Sequence, residues 1–117
     1  MNNIYSQMRL IELIEALEAL GDAKVTGLDF SIHSDRGFYS RNAVAPTDQV
    51  FEATELARLY RDQEGKIMTG WKGGEFPVKL DEYIYVAEYG SMGPAVCGLF
   101  ERYDGTYVPL LVLVSSW

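Results

Sequence analysis

An amphipathic pattern near the N-terminus constrains the fold of this chain more than any other feature. Leucine and isoleucine recur at three- and four-residue spacing between positions 10 and 20, and arginine and glutamate fall mainly on the opposite side. This spacing predicts a helix with one apolar stripe, with Ser6 as its N-cap and Gly21 just beyond its C-terminus. Because that stripe must be buried, the helix requires a second layer to pack against.

A second helical pattern follows Pro46. Thr47 is the predicted N-cap of this helix, and Gly65 ends it. Its apolar stripe consists of Val50, Ala53, Leu56, Ala57 and Tyr60. Between the two helices, residues 23–33 alternate in polarity and are predicted to be extended, and residues 34–46 form a long loop or a short strand.

The C-terminal half is typical of a sheet. A short strand near residues 66–71 precedes a glycine-rich turn, and further strands are predicted at 83–89, 96–102 and 107–114. The last two flank Tyr103-Asp104-Gly105-Thr106, which carries the Asp-Gly signal of a tight hairpin. We expect Pro109 at an edge position or at the start of its strand.

The order of these elements predicts the fold class. Helix, strands, helix and then several strands indicate an α+β domain with a mostly antiparallel sheet and two helices packed on one face. The chain has 117 residues, so we expect a single domain covering positions 1–117.

Composition excludes several functions. The net charge of −7 argues against extended nucleic-acid binding, which needs a broad basic face. The single cysteine rules out an internal disulfide, and the single histidine rules out a zinc site made mainly of imidazoles. The sequence has no signal-peptide pattern, and its longest apolar run is far shorter than the roughly 20 residues of a membrane span. We therefore expect an intracellular protein without membrane partners.

A first polar cluster follows the second extended segment. It contains His33, Ser34, Arg36, Tyr39 and Arg41. Guanidinium groups suit phosphate or carboxylate oxygens, and an aromatic face can stack on a base. These residues are candidates for binding an anionic ligand, the alternative being a polar loop whose arginines pair with neighbouring acids.

A second cluster contains Trp71, Lys72, Gly73 and Gly74. It combines a flat aromatic plate, a positive charge and successive glycine amides, which can form an anion-binding nest. Its spacing differs from that of a P-loop and no helix follows it. The alternative is a hairpin turn with Trp71 buried in the core.

A third cluster contains Glu88, Tyr89 and Ser91. Strand alternation places Glu88 on the same face as the preceding aliphatic residues. If that face is the core face, Glu88 is a carboxylate at the edge of the core and needs a cation, for which Arg36 and Lys72 are candidates. The alternative places the tyrosines in the core and Glu88 in solvent.

Catalysis receives little support from the sequence. Cys97 lies within an apolar strand pattern, where a buried, inert thiol is typical. No set of nucleophile, base and orienting group is visible. We therefore predict no catalytic residue, no cofactor and no metal site.

The three clusters together resemble blocks of a known group of proteins. His33-Ser34-x-Arg36-Gly37-x-Tyr39, Trp71-Lys72-Gly73-Gly74-Glu75 and Ala87-Glu88-Tyr89-Gly90-Ser91-x-Gly93 are similar to segments of small bacteriophage proteins of uncharacterised role. The resemblance runs from the first helix to the loop after Tyr89. It implies a phage gene product that acts in the host cytoplasm, and it implies no catalytic residue.

Two functional hypotheses follow. In the first, the clusters converge and bind a small anionic, nucleotide-like ligand, as in anti-defence proteins that sequester cyclic nucleotide or cyclic ADP-ribose signals. Its phosphates would be held by Arg36, Arg41 and Lys72, and its base would stack on Tyr39, Trp71 or Tyr89.

In the second hypothesis, acidic side chains bind a basic groove on a host enzyme and inhibit it, as a DNA mimic does. The carboxylates come from the glutamates of the first helix and from Asp62, Glu64, Asp81 and Glu82. The first helix or the apolar C-terminal strand could also form a homodimer interface.

Overall fold

The computed structural model describes residues 7–36, 41–70 and 72–113. It contains two helices, α1 (Leu10–Leu20) and α2 (Ala53–Arg61). The strands of this part of the chain are β1 (Lys24–Thr26), β2 (Ile32–Ser34), β3 (Asn42–Val44), β4 (Val50–Glu52), β5 (Ile67–Thr69), β6 (Glu75–Pro77), β7 (Ile84–Val86), β8 (Ala95–Glu101) and β9 (Tyr107–Val112).

Seven strands form one sheet in the order β2-β3-β7-β8-β9-β1-β4, and β5 and β6 form a separate hairpin. The pairs β3–β7 and β1–β9 are parallel, and all other neighbouring strands are antiparallel. The predicted α+β class with a mostly antiparallel sheet is confirmed.

The main core lies between the helices and one face of the large sheet. Both helices contribute the apolar stripes that their spacing predicts, apart from Val50. The fully buried helical side chains are Leu10, Leu13, Ile14, Leu17, Ala53, Leu56, Ala57 and Tyr60. They pack against alternate strand residues such as Ile32, Val44, Ile84 and Val86. Burial of each large aliphatic side chain contributes about 1.5–3 kcal/mol to stability.

Backbone hydrogen bonds join α1 to the segment before β7. The amides of Leu10 and Ile11 donate to the carbonyls of Glu82 and Leu80, both at 2.8 Å. These amides belong to the first turn of the helix, where no partner exists within the helix itself. The Arg9 amide donates to Glu12 Oε1 at 2.7 Å and completes the helix start. The predicted N-cap, Ser6, lies outside the described residues.

The start of the second helix differs from the prediction. Thr47 is not its N-cap, because Val50–Glu52 forms β4 and pairs with β1 before the helix begins. The Thr47 carbonyl accepts the amide of Gly27 at 3.0 Å instead. Hydrogen bonding to β1 outweighs the helical pattern here and leaves Val50 exposed.

The C-terminal hairpin forms between β8 and β9 as its sequence predicts. Asp104 accepts the amide of Thr106 at 2.9 Å, which lowers the pKa of Asp104 from its ordinary value. The expectation for Pro109 is wrong, because this residue lies in the middle of β9, an interior strand. The strand tolerates it because β1 and β9 pair at a single position, Val25 with Tyr107, and Pro109 lies beyond that pair.

A glutamine side chain occupies the outer edge of β2. Gln63, just after α2, accepts the amide of Ile32 at 3.0 Å and donates to the carbonyl of Phe30 at 2.6 Å. The Ile32 amide belongs to β2, an edge strand of the large sheet, and Phe30 lies two residues before it.

The described part of the chain contains no helix that is long and apolar enough to span a membrane.

Gly93 lies against the backbone of β7. A Cβ atom at this position would be 2.0 Å from the carbonyl oxygen of Val86 and 3.0 Å from Cβ of Ala87. A backbone carbonyl that is part of a sheet cannot move aside as a flexible side chain can. Only glycine therefore permits the close return of the loop that follows β7.

We predict that Gly93→Ala destabilises the protein by about 3 kcal/mol, because a methyl group must push the loop away from Val86. Gly98→Ala is the matched control, since a Cβ atom there meets only Leu110 at 3.4 Å. Urea unfolding monitored by circular dichroism measures both variants. Equal stabilities for the two variants would contradict the close approach.

Candidate functional site

Three distant segments meet around Tyr89. The ring of Tyr89 contacts the ring of His33 edge to face, with centroids 5.9 Å apart. Its hydroxyl donates to the carbonyl of Gly70 at 3.3 Å. Arg36 Nη1 donates to the carbonyl of Gly90, also at 3.3 Å. The end of β2, the loop after β7 and the start of the turn after β5 therefore lie together. We call His33, Arg36, Tyr89 and Gly90, with the adjoining turn residue Lys72, the Tyr89 surface.

Sheet order explains how this surface forms. β7 is separated from β2 only by β3, and His33, Ala43 and Tyr85 lie in register across the three strands. Beyond β7 the chain turns, with the Ser91 amide donating to the carbonyl of Glu88 at 2.9 Å. This turn folds the loop back and brings Tyr89 against β2.

Two backbone amides of the turn between β5 and β6 form hydrogen bonds within the turn itself. The Gly73 amide donates to the carbonyl of Gly70 at 2.9 Å, and the Gly70 amide donates to the carbonyl of Gly74 at 2.5 Å. The Gly73 amide is therefore committed to the turn and does not fit the expected anion nest. Lys72 and Gly74 are exposed beside it. Trp71 and Tyr39 lie outside the described residues.

Arg41 has a different environment from Arg36. Its Nη1 donates to the hydroxyl of Tyr85 at 2.8 Å, and its Nε lies 4.0 Å from Oε1 of Glu82. Its guanidinium also lies 5.1 Å from the centre of the Tyr83 ring. Burial raises the pKa of Tyr85, and Arg41 opposes that shift. The described contacts of Arg41 thus stabilise the face of the sheet opposite the helices.

Two other predicted site residues differ in accessibility. Ser34 is buried, and its hydroxyl donates to the carbonyl of Asp35 at 3.5 Å. Ser91 is exposed in the turn that carries Tyr89. Of this pair, only Ser91 is open to a ligand without rearrangement of the fold.

Glu88 is exposed, so the expectation of a carboxylate at the edge of the core is wrong. Ile84 and Val86 do face the main core, as that expectation assumed. However, β7 ends at Val86, and the turn that begins at Glu88 breaks the alternation. Neither Arg36 nor Lys72 forms an ion pair with Glu88 in the described part of the chain.

Because Glu88 is solvated, we predict that Glu88→Gln changes the free energy of unfolding by less than about 0.5 kcal/mol. Glu101→Gln, at another exposed glutamate, is the control. Thermal unfolding at neutral pH measures both. A clear loss of stability for Glu88→Gln alone would indicate a buried ion pair.

Arginines form ion pairs with some of the acidic side chains of the helices. Arg61 donates two hydrogen bonds to the carboxylate of Glu18, at 2.7 and 3.0 Å, and links α2 to α1. Arg58 donates to Asp62 at 3.1 Å. These pairs interrupt the row of carboxylates that a DNA mimic requires. The spacing within each helix could not reveal the Glu18–Arg61 pair, since it joins two elements.

The Glu18–Arg61 pair makes stability depend on pH. The hydrogen bonds from Arg61 lower the pKa of Glu18 below its ordinary value of 4.5. Because the pKa of Glu18 is lower in the folded state, the contribution of this pair to stability is complete above about pH 4.5. It is lost as the pH falls through the pKa of Glu18 in the folded state.

We therefore predict that Glu18→Gln lowers stability at neutral pH and that the difference from the wild type shrinks once the pH has fallen below the lowered pKa of Glu18, because the carboxyl group is then protonated in both states. Urea unfolding at neutral pH and at a series of acidic pH values checks this. Glu101→Gln is the control, because Glu101 is exposed and belongs to none of the ion pairs among the described residues. A constant deficit for Glu18→Gln would exclude an ionic contribution.

No group of three or more histidine, cysteine or acidic side chains in the described ranges is arranged to hold a metal ion. Comparison of the chain with protein-family models found no match, and comparisons with curated proteins and with solved structures found none either. The residues of the Tyr89 surface are therefore the basis for the function proposed below.

Proposed function

We propose that this protein binds a small anionic, nucleotide-like ligand at the Tyr89 surface and acts without catalysis or a cofactor. The observation that carries the proposal is the contact of Tyr89 with both His33 and Gly70, next to the contact of Arg36 with Gly90. The ring of Tyr89, the guanidinium of Arg36 and the turn that carries Lys72 thus contribute to one surface, although they come from distant parts of the sequence.

The chemistry of these groups suits a base joined to a phosphate. Tyr89 is 51% exposed, which leaves ring area for stacking, and its edge contact with His33 brings it to the end of β2. Stacking of a base on an aromatic ring contributes about 1–3 kcal/mol. Arg36, also exposed, provides forked donors for phosphate oxygens, and Lys72 adds a second positive charge.

The resemblance to bacteriophage proteins supplies a biological context for this proposal. In that context, the ligand is a cyclic nucleotide or a cyclic ADP-ribose-like signal of host defence, and the protein sequesters it in the host cytoplasm. Sequestration requires affinity and no reaction, in agreement with the prediction that no residue of this chain is catalytic.

Inhibition of a host enzyme through the acidic surface is less well supported. Glu18 and Asp62 are engaged by arginines, and Glu12 accepts the amide of Arg9. A basic groove would have to compete with these interactions for the same oxygens.

The test is thermal unfolding in the presence of a panel of cyclic mono- and dinucleotides and of cyclic ADP-ribose. A ligand at one hundred times its dissociation constant stabilises the folded state by about 2.7 kcal/mol. We expect Arg36→Ala to abolish the shift. Arg102→Ala is the matched control because Arg102 is an exposed arginine on the β8–β9 hairpin, near Asp104.

Loss of the shift in both arginine variants would indicate a nonspecific charge effect and would contradict the proposed site. The absence of a shift with every compound would overturn the proposed function.

A further inference from the structure

The two ring nitrogens of His33 have different environments. Nδ1 lies 3.1 Å from the carbonyl oxygen of Ser34. Because a carbonyl only accepts, Nδ1 carries the proton in this contact, and Nε2 of the neutral ring is an acceptor. Nε2 is inaccessible to solvent and has no hydrogen-bond partner within the part of the chain that the structure describes.

An acceptor that is buried without a donor is uncommon in proteins and calls for an explanation. Nε2 is at the end of the imidazole furthest from the β2 backbone, and His33 belongs to the Tyr89 surface. The cross-strand neighbour of His33 is Ala43, whose side chain has no donor to offer. A bound molecule is therefore a chemically suitable source of the missing hydrogen bond.

We propose that Nε2 of His33 accepts a hydrogen bond from the exocyclic amine of a nucleotide base, with Tyr89 moving aside to admit that base. This inference rests on the proposed function and names the class of base that the Tyr89 surface selects. A phosphate oxygen does not fit the role, since it and the neutral Nε2 are both acceptors. The phosphate interacts instead with Arg36 and Lys72, whose groups only donate.

The position of Tyr89 is compatible with such a movement. Its ring is about half exposed, and its hydroxyl bond to Gly70 is long for an O–H donor, at 3.3 Å. Rotation of a partly exposed side chain is fast compared with ligand binding.

The experiment compares two probes that differ in one amine. Adenosine 3′,5′-cyclic monophosphate carries the amine, and purine riboside 3′,5′-cyclic monophosphate lacks it. Isothermal titration calorimetry with the full chain measures both affinities. We expect the wild type to bind the adenosine compound about tenfold more tightly, as for a site whose polar group is left unpaired by the wrong ligand.

Variants of His33 test whether the preference for the probe with the amine depends on Nε2. His33→Leu is expected to bind both probes equally, because it removes the acceptor. His33→Gln is the matched control, because its side-chain amide retains an acceptor oxygen at a similar reach, and we expect it to keep most of the preference. Thermal unfolding of each variant without ligand verifies that the fold is intact.

The outcomes separate the two proposals. Equal binding of both probes by the wild type, or an unchanged preference in His33→Leu, would overturn the role of Nε2 and leave nucleotide binding in place. Failure of the wild type to bind either probe would overturn this inference. The proposed function itself fails only if the whole panel of nucleotides also gives no thermal shift.

Discussion

The first turn of α1 joins this helix to the strand that leads to the candidate site. Its amides donate to the carbonyls of Leu80 and Glu82, and its apolar side chains cover the adjacent strands. A helix start buried without such acceptors would leave unpaired donors. These hydrogen bonds attach α1 to the segment just before β7, and β7 lies near the centre of the seven-stranded sheet. The loop that carries Tyr89 leaves the other end of the same strand, so its placement depends on α1.

Local patterns in the sequence account for much of the fold. The stripe of α1, the hairpin at Asp104 and the α+β class follow from periodicity and turn chemistry, which act over a few residues. The predictions for Thr47 and Pro109 are wrong because distant strands decide the surroundings of these residues. β1 draws residues 50–52 into the sheet, and the short β1–β9 pairing leaves room for a proline in an interior strand.

The candidate site was less predictable than the fold. The side-chain chemistry of His33, Arg36 and Tyr89 predicts that they are candidates for ligand binding. Their mutual contacts, however, arise from strand order and from the turn after Glu88. The prediction for Glu88 is wrong because the alternation ends with β7 at Val86. The tautomer of His33 depends on a carbonyl one residue away and on the absence of a donor from the facing strand, and neither can be read from a motif.

The glutamine at the outer edge of β2 affects how this molecule behaves among its own copies. Exposed strand edges offer unpaired backbone groups as templates for intermolecular sheet growth, and proteins blunt them in various ways. Gln63 presents to β2 the same donor and acceptor groups that another strand would offer, at Phe30 and Ile32. A side-chain amide thus imitates a backbone amide at this point of the edge. A second strand that paired with β2 here would first have to displace Gln63.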